Sequence, residues 1–245
     1  MMISGWDSKY REILKEFNYD KRKDNDSAVL LDSILGEENY LEKIHDLIKN
    51  QNVFIVGAGP SLSTAIPVLQ HYKKTVKIVA DSAVKPLVDN GIVPNIIVTD
   101  LDGDEKTFKS IGKSKTIFVV HAHADNISKL NLVEYFKNCV GTTQTRPFGG
   151  IQNFGGFTDG DRAVFLASYF KAKKIILFGM DFGKRIGKFS NTEISDRKIK
   201  LKKLQKGRSL LEWLALKTKS ELFTTSSPII GFKKIPYQNL DIIMT

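Results

Sequence analysis

Five short apolar runs recur along the chain, and each stops in polar or glycine residues at its C-terminal end. Val53-Phe54-Ile55-Val56 opens into Gly57-Ala58-Gly59-Pro60-Ser61, residues 76–80 open into Asp81-Ser82, and Ile96-Ile97-Val98 opens into Thr99-Asp100-Leu101-Asp102-Gly103. Residues 116–120 precede His121-Ala122-His123-Ala124-Asp125, and residues 174–178 precede Gly179-Met180-Asp181. Runs this short, rich in β-branched residues and bounded by Gly, Pro and Asp, predict strands buried on both faces of a parallel sheet. Helical periodicity marks residues 62–70, 83–89, 127–137 and 159–170 between them. Strand and helix therefore alternate, which predicts a doubly wound, mostly parallel, Rossmann-like α/β fold. In such sheets ligands gather beyond the carboxyl ends of the strands, where these polar residues fall.

The first 50 residues follow another pattern. Trp6, Tyr10, Ile13, Leu14 and Phe17 keep helical spacing, a charged stretch at 20–26 breaks it as a loop, and helical stretches resume at 27–35 and 38–49. The expected organisation is a helical N-terminal appendage over residues 1–50, packed on the core or on a second subunit of a homo-oligomer, and an α/β catalytic domain over 51–245. A chain of 245 residues with 42% hydrophobic content can bury the core that such a domain needs. The lone Cys139 excludes an intramolecular disulfide, and Asn138-Cys139-Val140-Gly141 reads as a short buried strand. No apolar segment near Trp6, Asp7 and Lys9 resembles a signal peptide, and no run reaches membrane-spanning length. A cytoplasmic protein without a membrane partner is expected.

Charge adds a second landmark. The net charge is +10, and between residues 184 and 219 twelve Lys and Arg face three acids, a net of +9. Ile199, Leu201, Leu204, Leu210, Leu211 and Leu214 give this segment an apolar stripe, so a helix or helix pair, interrupted near Gly207, presents a dense basic face. Beside the strand ends that face can hold a triphosphate, with Lys202 and Lys203 as candidate nucleotide-binding residues, or it can form a polyanion surface. Aromatic residues are not interleaved with the lysines as a stacking platform requires, so no specific nucleic acid is expected.

The strand ends carry the chemistry. In an extended chain alternate side chains point the same way, so Asp100 and Asp102 can meet one hard cation, and Gly103 allows the turn that follows. Mg2+ suits one or two carboxylates whose remaining ligands are water and phosphate. Asp81, at the neighbouring strand end, can complete that shell or cap a helix. Gly57, Gly59 and Ser61 offer backbone donors to a nucleotide, or simply make a tight strand-to-helix turn. Partial matches to other motifs fail in detail. Leu62 stands where the dinucleotide fingerprint needs its third glycine, Asn126 replaces the histidine of a metallo-β-lactamase-like site, and the Asp100 motif follows a third strand where haloacid dehalogenases open with it.

The ordered set is more specific than its members. Val56-Gly57-Ala58-Gly59-Pro60-Ser61-Leu62, Ala80-Asp81-Ser82-Ala83, Pro94-Asn95-Ile96-Ile97-Val98-Thr99-Asp100-Leu101-Asp102-Gly103 and Phe178-Gly179-Met180-Asp181-Phe182-Gly183 resemble the archaeal 6-hydroxymethyl-7,8-dihydropterin pyrophosphokinase family over about residues 51–220. The third element is also similar to the proline-apolar-Gly-Asp-Phe-Asp-Ser element of thiamin pyrophosphokinase, with Thr99 and Leu101 in place of glycine and phenylalanine. This resemblance implies Mg2+-dependent transfer of pyrophosphate from ATP to the hydroxymethyl group of a dihydropterin, releasing AMP, in folate- or methanopterin-type cofactor synthesis. Asp81, Asp100 and Asp102 would be its catalytic aspartates. Asn153 and Asp159 are candidate pterin contacts because a loop over residues 141–161 offers aromatic faces with amide and carboxylate groups, and His121 and Asp181, at the ends of neighbouring strands, are the candidates outside that loop. Asp159 reads equally as a helix cap. Relatives resembling glycosyltransferases share the glycine-rich start and the aspartates, so a nucleotide-sugar-dependent transferase is the alternative enzyme, and a nonenzymatic nucleic-acid binder the alternative of another class.

Overall fold

The computed structural model describes residues 3–36, 38–190, 192–193 and 195–244. The chain starts its sheet at β1 (Asn52–Val56) and moves outward through β2 (Val76–Ala80), β3 (Ile96–Thr99), β4 (Ile117–His121) and β5 (Cys139–Thr142). It then returns to lay β6 (Lys174–Phe178) on the opposite side of β1, followed by β7 (Glu221–Thr224) and β8 (Lys233–Lys234). The resulting order is β5-β4-β3-β2-β1-β6-β7-β8, and every neighbouring pair is parallel. The reversal between β1 and β6 leaves a crevice at their carboxyl ends, the usual ligand position in a doubly wound sheet.

Burial on both faces explains why the strands read as unbroken apolar runs. Val53, Ile55, Ile96, Val98, Ile175 and Leu177 point into one core, while Phe54, Val56, Ile97, Ile176 and Phe178 point into the other. Each such side chain, fully removed from water, contributes about 1.5–3 kcal/mol. The first core is closed by α1 (Trp6–Phe17), α3 (Leu41–Ile48), α7 (Asp159–Tyr169) and α8 (Arg197–Ala215), the second by α2 (Lys21–Ile34), α4 (Leu62–His71), α5 (Val84–Val88), α6 (Glu105–Gly112) and α9 (Leu240–Met244). The fold is thus α/β with a helical N-terminal region, and that region packs into both cores. Among the described residues no helix is long and apolar enough to cross a membrane.

Three local expectations change. The charged stretch at 20–26 is helical, because Asp20 caps α2 by accepting the Arg22 N–H at 2.8 Å. Residues 124–135 form a run of 3-10 turns. The basic segment is a single helix from Arg197 to Ala215 that runs through Gly207 without a break. Gly207 is buried there because a Cβ would come within 2.9 Å of Asp161 Oδ1, so its bare backbone lets α8 press on the start of α7.

Candidate active site

Three carboxylates meet at the carboxyl edge of the sheet. Oxygens of Asp81, Asp100 and Asp159 lie within 4.8 Å of one another. Asp81 leaves the end of β2 and Asp100 the end of β3. Asp159 stands on the first turn of α7, after Thr158, whose backbone N–H (2.8 Å) and hydroxyl are both held by Asp161 in a capping box. Asp161 therefore does the capping, which leaves the Asp159 side chain to face the other acids and Arg162 Nη1, 3.2 Å away.

Their electrostatics follow from crowding. Burial first, and the charge of Asp100 second, push the Asp81 carboxyl up to about 7, although Thr99 donates a hydrogen bond to it. Asp159 is pushed well above the usual carboxylate range by the same two causes, with Arg162 opposing. Burial would also raise Asp100, but contact with His123, together with the charges of Arg162 and Lys200, outweighs it and holds the carboxyl at about 2. Three packed carboxylates with hard oxygen ligands fit a divalent cation such as Mg2+, which would neutralise the repulsion that now raises two of them.

A buried amide fixes the flank of this cluster. Asn126, at the start of the 3-10 run, donates to the carbonyls of Asp100 (2.8 Å) and His121 (2.6 Å) and accepts from the His123 N–H (3.1 Å). That grip sets His123 Nε2 3.6 Å from Asp100 Oδ2. Helix α2 supports it from outside, since Ser27 hydroxyl donates to Asn126 Oδ1 (3.4 Å) and Asp24 accepts the Ala124 N–H (3.1 Å).

On the other side of the cluster lies the crevice between β1 and β6. It opens to solvent and encloses about 120 Å³. Gly57, Gly59, Asp81, Asp159, Asp181, Arg185, Lys200 and Lys203 are among its walls. The glycines there are spacers, because the N–H groups of Gly57 and Gly59 already donate to the carbonyls of Phe178 (2.9 Å) and Gly179 (2.8 Å). Ser61 is similarly committed, its N–H and hydroxyl both reaching Asp181 Oδ2 at 3.0 Å. A Cβ at Gly59 would overlap that same carboxylate.

The structure thus redistributes the residues singled out from sequence. Asp81 and Asp100 come together, but with Asp159; Asp102 stands outside the group, in an ion pair of 2.6 Å with Lys129. Lys203 reaches the crevice, whereas Lys202 turns to α1, donating to the Glu16 carbonyl at 2.8 Å. His121 is buried at the end of β4, and Asn153 braces its own loop, donating to Thr145 O (2.6 Å) and accepting from Gly155 N–H (2.9 Å). Arg162, Lys200, Arg185 and Asn126 were missed. Arg185 and Lys200 fall in the basic segment at 184–219 without standing out within it, Arg162 follows Asp159 by one helical turn, and nothing local marks Asn126.

The sequence pattern of the 6-hydroxymethylpterin diphosphokinase MptE-like family matches residues 31–187. The chain belongs to this family. It is 42% identical over 239 residues to a 6-hydroxymethyl-7,8-dihydropterin pyrophosphokinase of Methanocaldococcus jannaschii, spanning 90% of this chain and 99% of that one. A protein of the same name from Pyrococcus furiosus is 44% identical over 216 residues, 85% and 92% of the two chains. As a member of this diphosphokinase family the chain is an enzyme of the diphosphotransferase class. A glycosyltransferase structure from Magnetospirillum magneticum AMB-1 superposes with a TM-score of 0.60 over 78% of this chain and 34% of its own, at 17% identity, a likeness of fold alone.

Proposed function

We propose that this enzyme transfers the terminal diphosphate of ATP to 6-hydroxymethyl-7,8-dihydropterin, in the synthesis of a folate- or methanopterin-type cofactor. The hydroxymethyl oxygen attacks the β-phosphorus and gives its proton to solvent, the bond from that phosphorus to the α,β-bridging oxygen breaks, and AMP leaves with the electron pair. The observation that carries the reading is the Asp81–Asp100–Asp159 cluster, set at the rim of a crevice lined by Arg185, Lys200 and Lys203. Mg2+ held by the three aspartates would polarise the phosphate oxygens and offset the charge that builds on them.

The protein's own groups do the positioning. Lys200, Lys203 and Arg185 offer cationic donors to the phosphates. Asp181, tied to Ser61, locks the β1 turn to the segment after β6 and so fixes the crevice wall. His123, oriented by Asn126, holds Asp100 in its ionised form. A small-molecule role also suits the basic helix better than a polyanion surface does. Lys202 and Lys206 are spent on Glu12 and Glu16 of α1, at 3.0–4.0 Å.

The test is to incubate the protein with ATP, Mg2+ and 6-hydroxymethyl-7,8-dihydropterin and to separate the products. AMP and pterin diphosphate in equal amounts are expected. ADP, or nucleotide turnover independent of the pterin, would overturn the reading.

A further inference from the structure

Among the described residues four buried side-chain atoms lack a hydrogen-bond partner: Asn52 Oδ1 at the start of β1, and His121 Nε2, Gln144 Oε1 and Arg162 Nε. The last three belong to one end of the sheet. His121 closes β4, Gln144 follows β5 by two residues, and Arg162 lies beside Asp159 at the start of α7. Their residues are 2%, 4% and 8% exposed. Leaving a buried polar atom unpaired in a dry interior is destabilising, so three at one edge need a cause.

Their donor and acceptor character can be worked out. Thr142 hydroxyl spends its proton on the Val120 carbonyl at 3.0 Å, so towards His121 Nδ1, 3.2 Å away, it can only accept. Nδ1 therefore carries the ring proton. Burial, then Arg162 and His123, push the imidazole well below its usual range, so the ring is neutral and Nε2 is a bare acceptor. Gln144 Oε1 is a second acceptor, and Arg162 Nε a donor. Together they complement a heterocyclic edge that presents one carbonyl and two N–H groups, as the 2-amino-4-oxo pyrimidine edge of a pterin does. Adenine, with one amino group beside one ring acceptor, would leave an acceptor unmatched.

Position agrees with chemistry. Along the carboxyl edge the basic crevice lies at β6 and β1, the acidic cluster at β2 and β3, and the unpaired His121 and Gln144 atoms beyond β4 and β5, while Arg162 sits on α7 beside Asp159 of the cluster. A group that passes from donor to acceptor across the cluster has its two substrates on opposite sides of it. We propose that the acceptor's pterin ring lies over the ends of β4 and β5, with His121 Nε2 and Gln144 Oε1 accepting from its N–H groups and Arg162 Nε donating to its 4-oxo group. This placement rests on the diphosphokinase reading above. Trp6 of α1 donates to the Gln144 carbonyl at 3.3 Å, so α1 packs over this side.

Calorimetric titration of the full chain with 6-hydroxymethylpterin, its analogue lacking the 2-amino group, guanosine and a nonhydrolysable ATP analogue tests it. Wild-type protein is expected to prefer the pterin to the desamino analogue by roughly 5- to 100-fold, the worth of one buried hydrogen bond. Guanosine shares the edge but lacks the second ring's shape and should bind more weakly than the pterin. His121→Asn keeps a donor to Thr142 and removes only the Nε2 acceptor; with Gln144→Leu it should weaken pterin binding about tenfold and leave the ATP analogue within about twofold. One of the two variants should bind pterin and desamino analogue equally. Equal wild-type affinity for those two ligands overturns the placement without any variant, as does wild-type pterin affinity in both variants. Tighter binding of guanosine than of pterin would assign the edge to a nucleotide base and also overturn it. If wild-type protein makes pterin diphosphate yet shows no such preference, only this placement falls; if it neither binds pterin nor makes AMP, the diphosphokinase reading falls with it.

Discussion

The sheet edge contains two aspartates of the same local design and opposite surroundings. Asp100 precedes Leu101 at φ 69° and Asp181 precedes Phe182 at φ 48°, so each sits at a sharp corner where an apolar residue takes a left-handed conformation. Such a conformation costs about 1 kcal/mol or more and persists only where neighbours hold it. At Asp181 those neighbours are hydrogen-bond donors, the N–H and hydroxyl of Ser61, and the carboxylate is satisfied within the protein. At Asp100 the neighbours are two further carboxylates, with His123 at 3.6 Å. One corner fastens two strands; the other gathers carboxylates, of which Asp100 is held ionised by His123, Arg162 and Lys200 while Asp81 and Asp159 stay raised. The corner alone does not decide which, because the partners come from distant parts of the chain.

The sharpest test of that contrast is Asp100→Asn, which removes a charge from the proposed cation site and should lower AMP formation by roughly 1,000-fold or more. Asp102→Asn, which loses an exposed ion pair with Lys129 and leaves the three clustered carboxylates in place, should stay within about tenfold. Mg2+ should raise the melting temperature of wild-type protein and not that of Asp100→Asn. Equal losses of activity in the two variants would break the distinction.

Asp181→Ala should behave in the opposite way. It strips the Ser61 N–H and hydroxyl of their acceptor, so stability should fall by roughly 1–3 kcal/mol, or about 2–10 °C in melting temperature, while the Mg2+-induced shift persists. A lost Mg2+ shift with unchanged melting would make Asp181 a cation ligand.

The metal-free protein should also lose stability towards neutral pH. A carboxyl whose folded-state value is raised binds its proton more tightly folded than unfolded, so stability falls as pH rises from about 4. For Asp81 that fall ends near its raised value of about 7. Melts at pH 5 and pH 8 with a chelator should show the higher midpoint at pH 5, and added Mg2+ should narrow the gap. No pH effect would mean that crowding is relieved by protein groups. The smallest effect expected is several-fold: Lys200→Ala should raise the KM for ATP, and Lys202→Ala, anchored on α1, should leave it near wild type.

What was legible in the sequence is what short segments determine. The doubly wound sheet and the strand ends at Gly57, Asp81, Asp100, His121 and Asp181 follow from runs of five residues or fewer. The pairing of Asp100 with Asp102 assumed an extended chain, and Leu101 turns that chain at the one residue between them. Asp159 looked like a cap because Thr158 and Asp161, which share the capping, lie so close to it in sequence. Gly57 and Gly59 looked like phosphate donors because the strand that takes their N–H groups, β6, lies more than a hundred residues away. Choosing Lys200 over Lys202 requires the rotation of α8 against α1, which packing sets and periodicity does not.

The order in which the three clustered aspartates leave the ribosome has its own consequence. Asp81 and Asp100 arise within the first part of the sheet, whereas Asp159 arrives only with α7, after β5. Until then a growing chain has two of the three oxygen donors and no lid of helix above them. If the three aspartates hold a cation as proposed, its full site is complete only once α7 has packed on the sheet, and in a refolding experiment the ion should bind tightly only after that step.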